Sequence, residues 1–155
     1  MSTRELRVTF TGGERAQLEL ARIAGKLGNG KVLRVGFLEG ARYPDGTPVA
    51  QVAFWNEFGT RTAPVRSFFR DMIAKCSPRW GAAIAANLRA TNFDGDVTLQ
   101  RMGVGIQDQL TRSIVDFTTP GNAPYTIQQK GFDKPLIDTG VMQRSVGFDI
   151  QNPRT

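Results

Sequence analysis

Residues 52–70, VAFWNEFGTRTAPVRSFFR, constrain the fold of this chain more than any other stretch. They cluster Phe54, Trp55, Phe58, Phe68 and Phe69 with Arg61, Arg66 and Arg70 around a Gly-Thr pair. Val52, Ala53, Trp55 and Phe58 fit helical spacing loosely, and Gly59 is the residue type most tolerant of the left-handed conformation that closes a helix. Pro64 fixes its own φ and biases Ala63 towards extended geometry, so residues 60–65 read as a short rigid link. Phe68, Phe69, Met72, Ile73 and Cys76 then resume a 3.6-residue stripe. The expectation is a tight corner between two helices. Spacing makes most of its aromatics core, and leaves Arg61, Arg66 and Arg70 as candidates for a charged interface. The competing reading of the same residues is a stacking platform for single-stranded nucleic acid.

On the N-terminal side of this corner, residues 5–11, ELRVTFT, place Leu6, Val8 and Phe10 on one face of a half-buried strand. Thr11 and Glu14 form a capping-box pattern. The helix it opens carries Ala16, Leu20, Ile23, Ala24 and Leu27 along one side and stops at Gly28-Asn29-Gly30. Residues 31–39 read as a second strand, and residues 40–47, GARYPDGT, as a mobile loop or hairpin tip. Beyond the corner, Ser77-Pro78 should kink or restart the helix, with Trp80, Ala83, Ile84 and Leu88 continuing the apolar stripe to about Ala90. After a turn at residues 91–95, Asp96 looks like an N-cap. Leu99, Met102, Ile106, Leu110, Ile114 and Phe117 then step along a long helix. Gly103 and Gly105 within it point either to close approach of another backbone or to a weak helix. Residues 118–135 read as a long loop with a helical turn at 125–130, Asp138-Thr139 as a capped turn, and residues 145–150, SVGFDI, as a final strand.

A single domain over residues 1–155 follows from the length, with an α+β fold: a small antiparallel or mixed sheet of about three strands packed against three to four helices, with long loops. Charge is uneven. Residues 1–90 carry 14 Lys/Arg against 7 Asp/Glu, and residues 91–155 carry 6 against 7. The basic half is either a solvated face, since no run of like charge exists, or a surface for phosphates or an acidic neighbour. The lone cysteine, Cys76, sits on the apolar stripe and reads as a buried small hydrophobe. No signal-peptide-like apolar region or membrane-length apolar stretch occurs, so the expectation is a soluble chain made in the cytoplasm.

Two motifs tempt. Residues 25–31, GKLGNGK, satisfy most of a GxxxxGK phosphate loop, but Val32 stands where Ser or Thr should hold magnesium, and the context is helix then strand rather than strand then helix. Residues 136–140, LIDTG, look like the triplet of aspartic proteases, in which two carboxylates share a proton. Only 15 residues follow Gly140, in a chain dominated by helix, so a capping turn is the reading. Histidine is absent, which removes the commonest general base. No Cys/Asp/Glu cluster has metal-ligand spacing. No catalytic residue, cofactor site or metal site is expected.

The stretch AFWNEFGTRTAPVRSFFR resembles the "A…EFGT…PxRPF(L/F)R" signature of neck and tail-completion proteins of long-tailed bacteriophages, often labelled virion morphogenesis proteins. TIQQKG at residues 126–131 and PLIDTGVMQRSV at residues 135–146 resemble that family's second signature, "T…KG…PLIDTGxLxxSI". Glu57, Phe58, Gly59, Thr60, Pro64, Arg66, Phe68 and Arg70 match the first, and Leu136, Asp138, Thr139, Gly140 and Ser145 match the second. Ser67 and Val146 depart mildly, from Pro and Ile. The resemblance implies a non-enzymatic structural protein of the virion, made in the host bacterial cytoplasm. It would form a ring, commonly of six copies, at the head–tail junction. The ring would sit below the portal and its adaptor or stopper, contact the tail terminator or tail tube, and let double-stranded DNA pass through its lumen without sequence recognition. No membrane partner and no cofactor are implied. The alternatives are a tail terminator capping the tube and, from a different class, a basic DNA-binding protein, which a steep salt dependence would reveal.

Within that reading, Glu57 with Arg66 or Arg70 would form a charge pair across the corner, and Asp138 with Thr139 would cap the turn before the last strand. The loop carrying Arg42, Tyr43, Pro44, Asp45 and Gly46 and the 118–135 region are long for a compact domain, which marks them as assembly loops. Deleting residues 42–46 should spare the monomer and weaken assembly.

Overall fold

The computed structural model describes residues 13–28 and 30–153, and the strand expected at residues 5–11 lies outside them. The described elements are α1 (Gly13–Leu27), β1 (Val32–Phe37), α2 (Val49–Phe58), α3 (Phe68–Cys76), α4 (Trp80–Ala90), α5 (Gly95–Val115), α6 (Pro124–Lys130), α7 (Val141–Arg144) and β2 (Val146–Gln151). The fold is α+β, as expected. The helices outnumber the expected three or four because the 118–135 region and the approach to β2 contribute the short α6 and α7.

β1 and β2 pair antiparallel from opposite ends of the chain, Val32 opposite Gln151 through Phe37 opposite Val146. This register puts Leu33, Val35 and Phe37 on one face with Ile150, Phe148 and Val146. The other face carries Arg34 and Asp149, the alternation of a half-buried sheet. The apolar face lies on α5. Gly103 makes that approach possible: a Cβ there would meet the Phe148 ring, with Cε2 only 2.6 Å away. The close neighbour of Gly103 is therefore a ring and not a backbone, while Gly105 faces open space. Gln107 Nε2 donates to the Val146 carbonyl at 2.9 Å and pins the start of β2 to the same helix.

α5 is the spine. Its Met102, Leu110 and Ile114 are buried, on the spacing read from sequence. It begins two residues earlier than expected, because Asp94 and not Asp96 is the N-cap, its carboxylate accepting from the Val97 N–H at 3.0 Å. Asp96 instead pairs with Lys31 at 2.8 Å. Phe68, Met72 and Cys76 of α3 pack with Leu110, Ile114, Val49, Ala53, Leu136, Met142 and Val146 in one core, and Phe37 meets Phe68 edge to face. A 3-10 turn at Ser77–Arg79 joins α3 to α4, as Pro78 foretells. Trp80 Nε1 donates to Gln109 on α5 at 2.9 Å. α1 buries none of its residues. It leans on the turn before α5, where Arg22 and Lys26 donate to Asn92 and Leu27 closes on Gly95.

Candidate functional site

The corner is built as expected in outline and inverted in one respect. α2 starts at Val49, just after Pro48, and buries Val49, Ala53 and Glu57 at i, i+4 and i+8. Its large side chains point outward: Phe54 is 59% exposed, Trp55 42% and Phe58 51%, whereas Glu57 is 6% exposed. The expectation that these aromatics are mostly core holds for Phe68 alone among the fully buried ones, with Phe69 half-buried. The reason lies outside α2. Glu57 is claimed by the start of α3, where its carboxylate accepts from the Phe69 N–H at 3.0 Å, the Arg70 N–H at 3.1 Å and Arg70 Nε at 2.7 Å. Burying Glu57 turns the opposite face of α2, with its aromatics, to solvent.

Glu57 is thus a remote cap. Ser67, the residue in the N-cap position of α3, makes no capping bond and donates its hydroxyl to Asp71 instead. Two of the N–H groups that a helix start leaves unpaired are satisfied by a carboxylate twelve and thirteen residues upstream. Arg70 Nη2 also donates to the Glu57 carbonyl at 3.0 Å, and its guanidinium lies 4.8 Å over the Phe58 ring. The expected ion pair is therefore Glu57–Arg70. Arg66 does other work: its backbone N–H donates to the Asn56 carbonyl at 2.7 Å, and its guanidinium reaches Asn56 and the carbonyls of Pro120 and Gly121. Burial lowers the Arg66 pKa, partly offset by Asp133. The turn between the helices closes on Gly59, at φ +75°, and on the Thr60 hydroxyl, which accepts from the Ala63 N–H at 3.0 Å. Pro64 is exposed between them.

The second signature lies beside the first. Leu136 is buried in the core, and Gly140 takes φ +72° at the entry to α7. No side chain caps that helix, so the cap expected from Asp138 and Thr139 does not form. The left-handed Gly140 makes the entry by itself, and Arg144 ties it down through the Thr139 carbonyl at 3.0 Å. Ser145 closes α7 through a hydroxyl bond to the Val141 carbonyl at 2.7 Å.

The loop after β1 is a hairpin tip closed by the Arg42–Pro48 bridge, the Tyr43 N–H to Thr47 carbonyl bond and the Arg42 guanidinium on the Gly46 carbonyl. Asp45 accepts from the Thr47 N–H at 2.9 Å, which holds its carboxyl below the ordinary value. Pro44, Asp45 and Gly46 are exposed, but Tyr43 is half-buried against the core. Removing residues 42–46 would take away the packing of Tyr43 on the core as well as the exposed tip.

These three segments, distant in sequence, meet at one cleft of about 470 Å³. Tyr43 and Asp45 form one wall, Val52, Trp55 and Asn56 of α2 another, and Leu136, Asp138, Thr139 and Gly140 a third, with Lys130 at the rim. Burial raises the Tyr43 phenol, and Asp138 and Asp45 raise it further. Burial lowers Lys130, with Arg66 adding to the effect and Asp138 and Asp133 opposing it. The lining combines the carboxyl groups of Asp45 and Asp138 with Lys130, Asn56 and the apolar Val52, Trp55 and Leu136. Sequence reasoning singles out Tyr43, Asp45 and Asp138 and places Trp55 in the aromatic cluster and Lys130 in the TIQQKG segment, but it does not bring Trp55, Asn56 and Lys130 to this cleft. For Trp55 and Asn56 the sequence signal is that Val49, Ala53 and Glu57 offer a second i, i+4 row on α2, which turns the other faces of the helix outward.

The phosphate-loop match sits at the wrong end of a helix. Gly28 and Gly30, at φ +65° and +68°, follow the C-terminus of α1, and Lys31 is engaged by Asp96. Asn29 lies outside the described residues. Comparison of the chain with protein families, with curated proteins and with solved structures finds no match.

Proposed function

We propose that this chain is a non-enzymatic structural subunit of a phage virion that closes into a ring at the head–tail junction, joining portal or adaptor to tail and leaving a lumen for double-stranded DNA. The observation that carries the reading is the outward face of α2. Phe54, Trp55 and Phe58 are exposed on a helix locked in place by Glu57, and a rigid apolar surface of this kind is what subunit interfaces use at their centres. It adjoins a docking cleft made of both signature segments and the hairpin tip. Its partners in this reading are further copies of itself in a six-membered ring, and the portal-side and tail-side rings.

The tail terminator remains the related alternative, since the same surfaces serve a ring that caps a tube. The test is cryo-electron microscopy of the virion, seeking this chain in the head–tail density. A closed ring between portal and tube supports a neck role, a ring at the end of the tube the terminator, and absence from the particle refutes the structural reading. A Phe54→Ser and Trp55→Ser chain should keep its helical circular dichroism and fail to incorporate.

A further inference from the structure

We infer that the cleft between the hairpin tip, α2 and the entry to α7 receives the Arg61 side chain of a second copy, its guanidinium meeting Asp45 and Asp138 against the rings of Tyr43 and Trp55. The lining supplies both halves of such a site. Tyr43, Trp55 and Leu136 make apolar walls, and the cleft sets two carboxyl groups against one ammonium in a chain of net charge +6. Both acids act on the Tyr43 phenol, whose pKa is raised first by burial, then by Asp138 and then by Asp45, so the three groups share one end of the cleft. Among the described residues neither acid is in an ion pair. Lys130 does not supply the missing partner: its Nζ donates to the Lys134 carbonyl at 3.0 Å and lies 5.3 Å from the centre of the Phe132 ring.

Chemistry narrows the occupant. A hard metal ion takes six or more oxygen ligands, and no three acidic or cysteine side chains gather for one among the described residues. A guanidinium is planar and weakly hydrated, stacks on aromatic faces and forks onto carboxylates, so this lining suits it better than an ammonium. Of the three arginines at the corner, Arg66 is held by the carbonyls of Pro120 and Gly121 and Arg70 by Glu57. Arg61 is exposed and in no ion pair among the described residues, so in its own chain it reaches neither acid. Its backbone lies in a turn closed twice, by the Thr60 N–H on the Ala63 carbonyl and by the Ala63 N–H on the Thr60 hydroxyl, both at 3.0 Å. A side chain presented from a fixed turn has less freedom to lose on docking. Trp55 belongs both to the cleft and to the exposed face of α2, so a copy seated in the cleft also covers part of that aromatic surface. The corner of one copy in the cleft of the next joins different surfaces, and contacts of that kind close into a ring when the rotation allows. The inference rests on the reading that copies of this chain associate, and names the contact.

Sedimentation velocity of the full chain over a range of concentrations tests it. The unsubstituted chain should associate, and Arg61→Glu and Asp138→Arg should each weaken association about tenfold or more. The chain carrying both substitutions should recover most of the loss, because the exchanged charges face each other again across the contact. Both positions are exposed, and circular dichroism of each variant checks that the fold is kept. Association that survives either substitution unchanged, or that the double variant does not recover, overturns the contact and leaves the ring reading standing. A chain that stays monomeric at every concentration also overturns the contact, and the ring reading then answers to the head–tail density of the particle.

Discussion

Glu57→Gln separates capping from ion pairing at the corner. The carboxylate has two oxygens for three donors: Phe69 N–H, Arg70 N–H and Arg70 Nε. An amide keeps one oxygen and turns an NH₂ group towards donors, so one buried N–H at the start of α3 loses its acceptor, at about 1–3 kcal/mol. Loss of negative charge at that helix end adds about 0.3–1 kcal/mol. The expected cost is about 2–4 kcal/mol, or roughly 4–16 °C in Tm for a chain of this size. Arg70→Met removes the ion pair and leaves both backbone bonds. Because the Arg70 side chain is 54% exposed, its pairing is screened, and the expected cost is about 1 kcal/mol or less. Urea unfolding followed by circular dichroism, with unchanged slope, measures both. If Arg70→Met costs as much as Glu57→Gln, the carboxylate acts as a partner of the arginine, and the remote-cap argument fails.

The two glycines of α5 should respond with opposite signs. Gly103→Ala drives a methyl group into the Phe148 ring and should cost about 1–3 kcal/mol, whereas Gly105→Ala, in open space on a helix, should stabilise by about 0.5–1 kcal/mol. Thermal melts of both variants check the pair, and a destabilising Gly105→Ala would contradict the local geometry. In a Tyr125→Phe background, phenolate absorbance should show Tyr43 titrating above its ordinary value of 10.0, and Asp138→Asn should reduce the shift without abolishing it, because burial is the larger cause. The sign for stability follows: a phenol whose pKa is raised in the folded state contributes stability that is present below about pH 10 and lost as pH rises through the folded value. A Tyr43 titration unchanged by Asp138→Asn would place the carboxylate away from the ring.

What could be read from the sequence was whatever a single element decides for itself. The three- and four-residue steps of α5, the break at Pro78, the alternation of β2, the short helix inside the 118–135 region and the buried Cys76 all follow from spacing and residue type. What could not be read depends on partners far along the chain. Asp94 and Asp96 are equally good caps by type, and Lys31, more than sixty residues upstream, engages Asp96. Asp138 and Thr139 have the chemistry of caps, but Gly140 reaches the left-handed conformation unaided and leaves them free to line the cleft. The cleft itself is assembled from Tyr43, Trp55, Lys130 and Asp138, and no local pattern announces it.

α2 shows why these long-range choices matter for function. Taken alone, the helix would bury its three aromatics and expose its one acid, the arrangement that transfer free energies favour. The fold does the reverse, because α3 begins without a capping side chain of its own and Glu57 fills that role. Exposed aromatic area forgoes stability that burial would give, and the proposed ring would recover it by covering Phe54, Trp55 and Phe58. The corner therefore couples two properties in one short segment. In the proposed ring, the carboxylate that joins α2 to the start of α3 would also set which face of α2 is offered to a neighbour, so a substitution that frees Glu57 should disturb assembly along with folding if that reading holds.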